Sequence, residues 1–275
     1  MALRLGPHLI SLHDRMLYEP VARRVRCSLG GVQICDTTGA ALVWEPRRVV
    51  PMYAVPEADL AAELVPTAAV PVPDHLPPML GPVNFALHLD PGTSLDVRVG
   101  DDVAPAAAFR PDDPDLAGLV VLDWQPFDWL EEDLPVTGHP HDAFKRIDVL
   151  PSSRHVLVSL DGVVLADTRD AFALHETHLP VRWYVPREDV VMDRLIDSET
   201  RTTCAYKGRA SYFSLADGSA AGRDIAWTYP DPLHDAAWVQ DRVCFYSERT
   251  DLTVDGVAHE RPVTPWSSPA DQARF

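Results

Sequence analysis

The sequence predicts a mainly β protein with one short helix in each of two tandem domains. Three observations support this prediction: a repeat with a domain-sized period, glycine-containing turns between alternating segments, and a proline that opens one short helical segment in each repeat. At 275 residues the chain has the length of two domains of roughly 100–150 residues each.

The repeat is visible at a constant offset along the chain. Residues 23–37 align with residues 154–168, an offset of 131 positions, and share Arg, Val, Leu, Gly, Val, Asp and Thr at equivalent places. So many matches in one register predict an internal duplication whose period is that of a domain. The alignment continues through Glu45 with Glu176, Tyr53 with Tyr184 and, after a slip of one residue, 55–60 with 185–190.

Each copy opens with the chemistry of a β-hairpin. Gly-Gly at 30–31 and Asp-Gly at 161–162 supply residues that adopt the positive φ of a two-residue turn. Later in each copy, a proline followed by acidic residues predicts a helix start, which places short helices over 57–64 and 187–196. The second copy continues with strands predicted over 210–214, 225–229, 243–246 and 252–254.

The repeat also sets the predicted domain boundaries. Proline, glycine and histidine interrupt the periodicity between the copies, and a proline-rich stretch at 65–82 is interpreted as a surface excursion of the first copy. The predicted divisions are an N-terminal extension (1–22), a first, degenerate copy (23–133), a linker (134–153), a second copy (154–256) and a C-terminal strap (257–275) that contains Trp266.

The charge balance argues against two classes of partner. The formal net charge is −17, with acidic runs at 101–102, 112–115 and 131–133, and no basic stripe could displace counterions from nucleic acid. The same negative field would repel anionic lipid surfaces. No long apolar span or secretory leader is evident, so we expect a cytoplasmic protein that binds neither nucleic acid nor membrane.

The sequence predicts neither a metal nor a cofactor. The four cysteines form no Cys-x-x-Cys pair, so we expect reduced thiols and no structural zinc. His175 and His178 flank Glu176 in a segment predicted as a strand, where alternate side chains face opposite sides, so at most Glu176 and His178 share a face. Glycine motifs that bind phosphates or dinucleotides are absent.

A set of motifs in the second copy resembles a known family. The residues that carry the resemblance are Gly162–Thr168, Glu176, Trp183–Pro186, Glu188-Asp189, Thr203–Gly208, Tyr212, Ala226–Pro232 and Phe245-Tyr246. Together they resemble the bacterial domain-of-unknown-function family 427, which also carries a nucleotidyltransferase-like label. The resemblance covers most of 154–256 and, more weakly, 23–64 and the stretch around 119–133.

This resemblance implies a fold but no established reaction. The implied fold is β-tent-like, related in shape to zinc-bearing tent proteins but without their paired Cys-x-x-Cys ligands. The first copy departs from the family pattern, because the Cys-x-x-Lys-Gly segment at 204–208 has no counterpart there.

Lys207 is the first candidate for chemistry. The chain has 22 arginines and two lysines, so a retained lysine suggests chemistry that arginine cannot perform, such as losing a proton or forming an imine. Against this, Lys145 in the predicted linker shows that a lysine can occur without an evident role. Cys204 lies three residues before Lys207, where an ammonium could favour the thiolate; the alternative is a small buried hydrophobe.

Carboxylates and aromatic residues complete the candidate site. Asp167 and Glu176 could act as general acid and base, but Asp36 and Glu45 occupy the same places in the first copy, which favours structural roles. Glu176 is the better catalytic candidate. Four aromatic residues could stack on a flat ligand or form core, namely Tyr184, Tyr212, Trp227 and Tyr229.

The resulting hypothesis is a small-molecule pocket in the second copy, with or without catalysis. Lys207, Cys204 and Glu176 are its predicted catalytic residues, and Tyr184, Tyr212, Trp227, Tyr229 and Asp167 are its predicted substrate-binding residues. One alternative is a non-enzymatic scaffold that presents the duplicated domains to a protein partner. Another is nucleotide binding or nucleotidyl transfer, suggested by the family label and opposed by the acidic charge.

Overall fold

The chain forms two compact units, Met1–Asp142 and Ala143–Phe275. The computed structural model describes residues 2–76, 79–264 and 267. Trp266 and the rest of the predicted strap beyond residue 264, apart from Ser267, lie outside the described residues. The mainly β class predicted from the sequence is confirmed. Within the described part of the chain, no helix has both the length and the apolar character needed to cross a bilayer.

The first unit begins with a short helix and continues as strands joined by 3₁₀ turns. The helix is α1 (Leu5–Ser11), and the turns are Leu12–Asp14, Glu57–Asp59, Pro82–Asn84 and Pro114–Leu116. The strands are β1 (Leu17–Pro20), β2 (Val25–Leu29), β3 (Val32–Thr37), β4 (Ala41–Trp44), β5 (Met52–Pro56), β6 (Glu63–Pro66), β7 (Gly92–Val99), β8 (Asp102–Pro111), β9 (Leu119–Leu122), β10 (Asp128–Glu131) and β11 (Leu134–Val136).

The second unit is built from strands and 3₁₀ turns in the same way. The turns are Arg187–Asp189, Met192–Arg194 and the longer His234–Val239. The strands are β12 (Ile147–Ser152), β13 (Val156–Leu160), β14 (Val163–Thr168), β15 (Ala171–Glu176), β16 (Arg182–Val185), β17 (Leu195–Cys204), β18 (Gly208–Leu215), β19 (Ala226–Thr228), β20 (Val243–Phe245), β21 (Asp251–Val254) and β22 (Val257–His259).

Both units have one large and one small antiparallel sheet with the same strand order. Over the described residues, the large sheets have seven strands, β1-β4-β5-β9-β8-β7-β6 in the first unit and β12-β15-β16-β20-β19-β18-β17 in the second. The small sheets have four strands, β3-β2-β10-β11 and β14-β13-β21-β22. The predicted hairpin turns are confirmed, since φ is 58° and 82° at 30–31 and 50° and 78° at 161–162.

The sheets extend beyond the predicted copies. The N-terminal extension contributes β1 to the first large sheet, and the predicted linker contributes β11 to one unit and β12 to the other. The division between the units, after residue 142, falls inside that predicted linker. Three edge strands, β1, β11 and β12, therefore come from segments outside the predicted copies.

The predicted helices are wrong in length. The segment 57–64 contains a single 3₁₀ turn and then enters β6, and 187–196 contains two such turns before β17 continues. After each first turn the backbone bonds to the hairpin: Ala61 N donates to Ile34 O at 2.7 Å, and Val191 N donates to Leu165 O at 2.9 Å. These bonds hold the chain in an extended form, so tertiary pairing overrides the local helix signal.

A buried threonine fixes this corner in both units. The Thr37 hydroxyl donates to the Asp59 carboxylate, and the Thr168 hydroxyl donates to the Asp189 carboxylate, each at 2.6 Å. Each threonine oxygen also accepts a backbone N–H two residues later, at 2.9 Å. The end of the hairpin is thereby tied to the 3₁₀ turn that follows β5 in the first unit and β16 in the second.

The large sheet of the second unit buries both of its faces. Because side chains alternate along a strand, adjacent residues enter different clusters, as Val185 and Tyr184 do. One face packs with apolar residues of the small sheet, among them Val156 and Val254. The other face forms a largely aromatic cluster with Ala236 and Val239 of the long 3₁₀ segment. This second face carries the aromatic residues of the candidate site.

We expect Thr168→Val to destabilise the second unit. The substitution strands the half-buried Asp189 carboxylate and the Asp170 N–H, so the loss in unfolding free energy should be about 1–3 kcal/mol. Equilibrium unfolding in urea measures it, with Thr253→Val on β21 as the control, where a change below about 0.5 kcal/mol is expected. An equally small loss for Thr168→Val would contradict the structural role of this bond.

Candidate functional site

The Cys-x-x-Lys-Gly segment forms a buried turn between β17 and β18. Cys204 and Gly208 are paired across the three turn residues, all of which are buried. Gly208 has φ +89°, and a Cβ there would lie 3.3 Å from the Asp231 carbonyl oxygen, so the position favours glycine strongly. The Leu233 N–H donates to the carbonyl oxygen of Lys207 at 3.2 Å. The turn is thereby held against the segment that follows β19.

Both lysines of the chain contact the same carboxylate. Lys207 is 8 % exposed, and its Nζ lies 2.5 Å from Oε2 of Glu176, the last residue of β15. The Nζ of Lys145 lies 3.6 Å from Oε1 of Glu176 and donates to the Thr177 carbonyl oxygen at 3.4 Å. Glu176 thus joins two cations that lie 62 positions apart in the sequence.

This group is ionised at neutral pH. Burial alone would raise the pKa of Glu176, but the charges of Lys207 and Lys145 lower it, and the net shift is downward. Burial alone would lower the pKa of Lys207, but Cys204 and Glu176 raise it, and the net shift is upward. Lys207 is therefore a fixed ammonium. The predicted roles as a base or an imine-forming amine are not favoured by this environment.

Cys204 is the half-exposed member of the group. Cys204 interacts electrostatically with Lys207, three residues later, whereas Cys27, Cys35 and Cys244 are buried. A cysteine reacts as a nucleophile in its thiolate form. Cys204 is thus the member of the group that combines partial exposure with nucleophilic capacity.

The four predicted aromatic residues lie together in the second cluster of the unit. Tyr184, Tyr212, Trp227 and Tyr229 are all at most 8 % exposed. Trp227 Nε1 donates to the Tyr184 hydroxyl at 3.0 Å, and the Tyr212 hydroxyl lies 2.9 Å from Oγ1 of Thr202. These contacts give them structural roles on the large sheet.

Tyr229 connects this cluster to the charged group. Burial is the main cause that raises the pKa of Tyr229, and the charges of Cys204 and Glu176 raise this pKa further. The structure therefore brings Lys207, Cys204, Glu176 and Tyr229 into one neighbourhood. Tyr229 is the aromatic residue whose electrostatics are coupled to both Cys204 and Glu176.

The structure does not bring Asp167 into this neighbourhood. Asp167 lies on the exposed side of β14 in the small sheet, where its carboxylate is 2.6 Å from Nε2 of His155. The equivalent Asp36 in the first unit makes an exposed ion pair with Arg24. Both aspartates thus belong to surface pairs along equivalent strands.

The segment that contains His175 and His178 is not one continuous strand, as the sequence had predicted. β15 ends at Glu176, so His178 lies in the following turn, where its φ is +66°. Among the residues that the structure describes, no group of three His, Cys, Asp or Glu side chains has the geometry to hold a metal ion.

Three charged residues of the second unit escaped the sequence interpretation. Lys145 was interpreted as a lysine without a role. The scarcity of lysine in the chain was the signal that could have linked Lys145 to Lys207. Arg182 and Glu248 form a buried ion pair at 2.6 Å, and Arg182 lies over the Trp227 ring at 5.5 Å. No spacing in the sequence links these two residues, since 66 positions separate them.

A known family model matches the part of the chain that contains most of the candidate site. No curated protein matches the chain. The matching family model covers residues 148–256, a range that includes Glu176, Cys204 and Lys207 but leaves out Lys145 and the first unit. The family of that model, as the motif resemblance predicted, is the domain of unknown function DUF427.

Proposed function

We propose that the second unit binds a small molecule with an anionic group at the cluster of Lys145, Lys207, Glu176 and Cys204. The observation that carries the proposal is the convergence of both lysines on one buried carboxylate, in a chain that otherwise uses arginine. The two lysines bring two formal positive charges to one carboxylate, although the whole chain carries −17. An anionic ligand group would complement these cations.

Stability alone is a poor explanation for such a cluster. Burying an ion pair costs desolvation that its own attraction often fails to recover, and apolar residues of similar volume often serve equally well. A second ammonium on the same carboxylate adds repulsion between the cations. The arrangement fits a protein that retains the charges for binding.

An enzymatic role would use Cys204 as the nucleophile. The Lys207 ammonium would stabilise the thiolate, and Glu176 would hold the ammonium in place. Tyr229 would close the inner side of the site. A cytoplasmic location, where thiols stay reduced, suits a site that depends on a free cysteine.

We further propose that the two units arose by tandem duplication in a bacterial ancestor. Their identical strand orders and the equivalent Thr37–Asp59 and Thr168–Asp189 bonds support this origin. Under this proposal the position of Glu176 is inherited, and the cations around it are specific to each unit.

A protein-interaction role is the second candidate, supported by an exposed apolar surface. Trp238, in the long 3₁₀ segment, is 60 % exposed and contacts Phe172 edge to face at 5.6 Å. An exposed tryptophan that packs on a second aromatic ring is a candidate anchor for a protein partner. Trp238→Ser would abolish association with a partner under this role and leave ligand binding intact.

Ligand binding is the direct test of the main proposal. Thermal unfolding is followed with inorganic phosphate, citrate, pyruvate and ATP, and a saturable stabilisation by at least one of them is expected. Lys145→Met should weaken that stabilisation, because it removes the more exposed ammonium; Arg146→Met removes a neighbouring exposed cation as the control. Equal responses of the two variants, or no response of the parent, would contradict the proposal. ATP as the one effective compound would favour nucleotide binding.

Removing the ion pair separates stability from function. Lys207→Met leaves Glu176 buried with only Lys145, so we expect a loss of about 3–5 kcal/mol in unfolding free energy. The double variant Lys207→Met/Glu176→Leu should recover to within about 1 kcal/mol of the parent or exceed it. Urea unfolding measures both. A double variant as unstable as the single one would show that the pair is needed for folding.

The same double variant isolates the pH dependence of the pair. Glu176 has a folded pKa below its ordinary value of 4.5, so its ionisation stabilises the fold above that pH. This contribution is lost as the pH falls from 4.5 through the lowered folded pKa. Unfolding in urea between pH 6 and 3 should show a steeper acid loss for the parent than for the double variant. Parallel curves would argue against an ionised Glu176.

Thiol reactivity tests the nucleophile. At pH 7, iodoacetamide should modify Cys204 before the three buried cysteines, as peptide mass spectrometry can follow. In the double variant Lys207→Met/Glu176→Leu the rate at Cys204 should be lower than in the parent, because the neighbouring ammonium is gone. An unchanged rate would exclude a role for the ammonium in activating the thiol.

A further inference from the structure

The first unit holds its own buried polar group around Glu45, the equivalent of Glu176. Glu45 is 1 % exposed, and its Oε2 accepts from Arg48 Nε at 3.1 Å. The remaining N–H groups of Arg48 are directed to backbone carbonyl oxygens of the segment 81–87 at 2.9–3.2 Å. Arg48 therefore anchors that segment, which leads directly to His88.

His88 is oriented by three contacts. Its Nδ1 lies 2.8 Å from Oε1 of Glu45, its ring stacks on Phe109 at 3.7 Å, and Phe85 packs against it edge to face. A carboxylate can only accept, so Nδ1 is the donor and Nε2 of the neutral ring is an acceptor. This is the carboxylate–imidazole arrangement that sets a histidine tautomer and presents the opposite nitrogen to a ligand.

The opposite nitrogen has no partner in the protein. The His88 side chain is 5 % exposed, and within the described part of the chain its buried Nε2 makes no hydrogen bond. Buried polar atoms are nearly always satisfied, and an exception calls for a bound molecule or a functional reason. The residue as a whole is half-buried.

Two further carboxylates interact electrostatically with this group, Asp90 with Glu45 and Asp123 with Arg48 and His88. Burial raises the pKa of Asp90, and the charge of Glu45 raises it further. Burial also raises the pKa of Asp123, whereas the charges of Arg48 and His88 oppose that shift. With Glu45, these aspartates outnumber Arg48 and leave a formal excess of −2 around an imidazole acceptor. The charge is opposite in sign to that of the cluster in the second unit.

We propose that the first unit carries a separate binding site at the Glu45–His88 dyad, which takes a small molecule with a protonated primary amine. The ammonium donates one hydrogen bond to Nε2 of His88, and Asp90 and Asp123 balance its charge. A divalent cation fits less well, because no three of the described side chains have metal-binding geometry. The first unit is then a second binding module with the opposite charge preference, and the site is independent of the proposal for the second unit.

Histidine NMR on the full chain tests this site. The protein is labelled with ¹⁵N-histidine, the His88 ring signals are assigned by their loss in His88→Phe, and ethylamine, ethanolamine and putrescine are titrated separately. A saturable shift of the His88 Nε2 signal with at least one amine, and none with ethanol, is expected. No saturable shift with any of the three amines overturns the proposal.

Matched variants separate the site from general charge effects. Asp123→Asn keeps the Glu45–His88 contact and should weaken amine binding by at least tenfold, whereas Asp128→Asn removes an exposed carboxylate of β10 and should leave binding unchanged. Equal weakening by both variants indicates nonspecific attraction and overturns the proposal. So does a crystal grown with the tightest-binding amine in which Nε2 of His88 bonds only to water.

Discussion

Each unit buries a glutamate carboxylate at the end of the first strand after its hairpin. This is Glu45, next to β4, in the first unit and Glu176, in β15, in the second. The negative charge of each carboxylate must be compensated by neighbouring side chains. In the second unit a three-residue turn between β17 and β18 delivers Lys207 to Glu176. In the first unit the corresponding connection, between β6 and β7, is the long segment 67–91, and it delivers His88 to Glu45. The same position in the fold is therefore satisfied by chain segments of very different length and chemistry.

This arrangement explains how one scaffold can support two chemistries. A buried ionised carboxylate needs compensating partners: Lys207 and Lys145 supply them to Glu176, whereas Arg48 supplies the charge and His88 a hydrogen bond to Glu45. The lysine turn places Cys204 near an ammonium, and the long segment of the first unit brings His88 into electrostatic contact with Asp123. The two equivalent glutamates thus have chemically different surroundings.

The parts of the fold that depend on local chemistry could be predicted from the sequence. Gly30-Gly31 and Asp161-Gly162 have the positive φ that their turn type demands, and the strands around 210–214 and 243–246 follow from short apolar segments. The helix predicted after Pro56 is wrong, because a backbone hydrogen bond from Ala61 to the hairpin outweighs the local helix propensity. That bond joins residues whose proximity exists only in the folded chain.

The candidate site likewise has contacts that the sequence predicts and contacts that exist only in the folded chain. Lys207 and Cys204 are close in sequence, and their contact could be inferred from spacing alone. The pairing of Lys207 with Glu176, and the arrival of Lys145 at the same carboxylate, required the sheet, because β12 and β15 are paired only in the folded structure. The equivalent tyrosines illustrate the limit: Tyr53 donates to Glu131, whereas Tyr184 accepts from Trp227. Equal positions in a repeat do not ensure equal partners.

The scarcity of lysine has a practical consequence for work on this protein. The side chains of the whole chain offer only two primary amines, and both lie at Glu176. Amine-directed dyes, cross-linkers and immobilisation resins would therefore attach at the α-amino group or at this cluster, with the more exposed Lys145 the preferred side chain. A fluorophore introduced in this way would report on the environment of the cluster, and routine lysine coupling would risk blocking it.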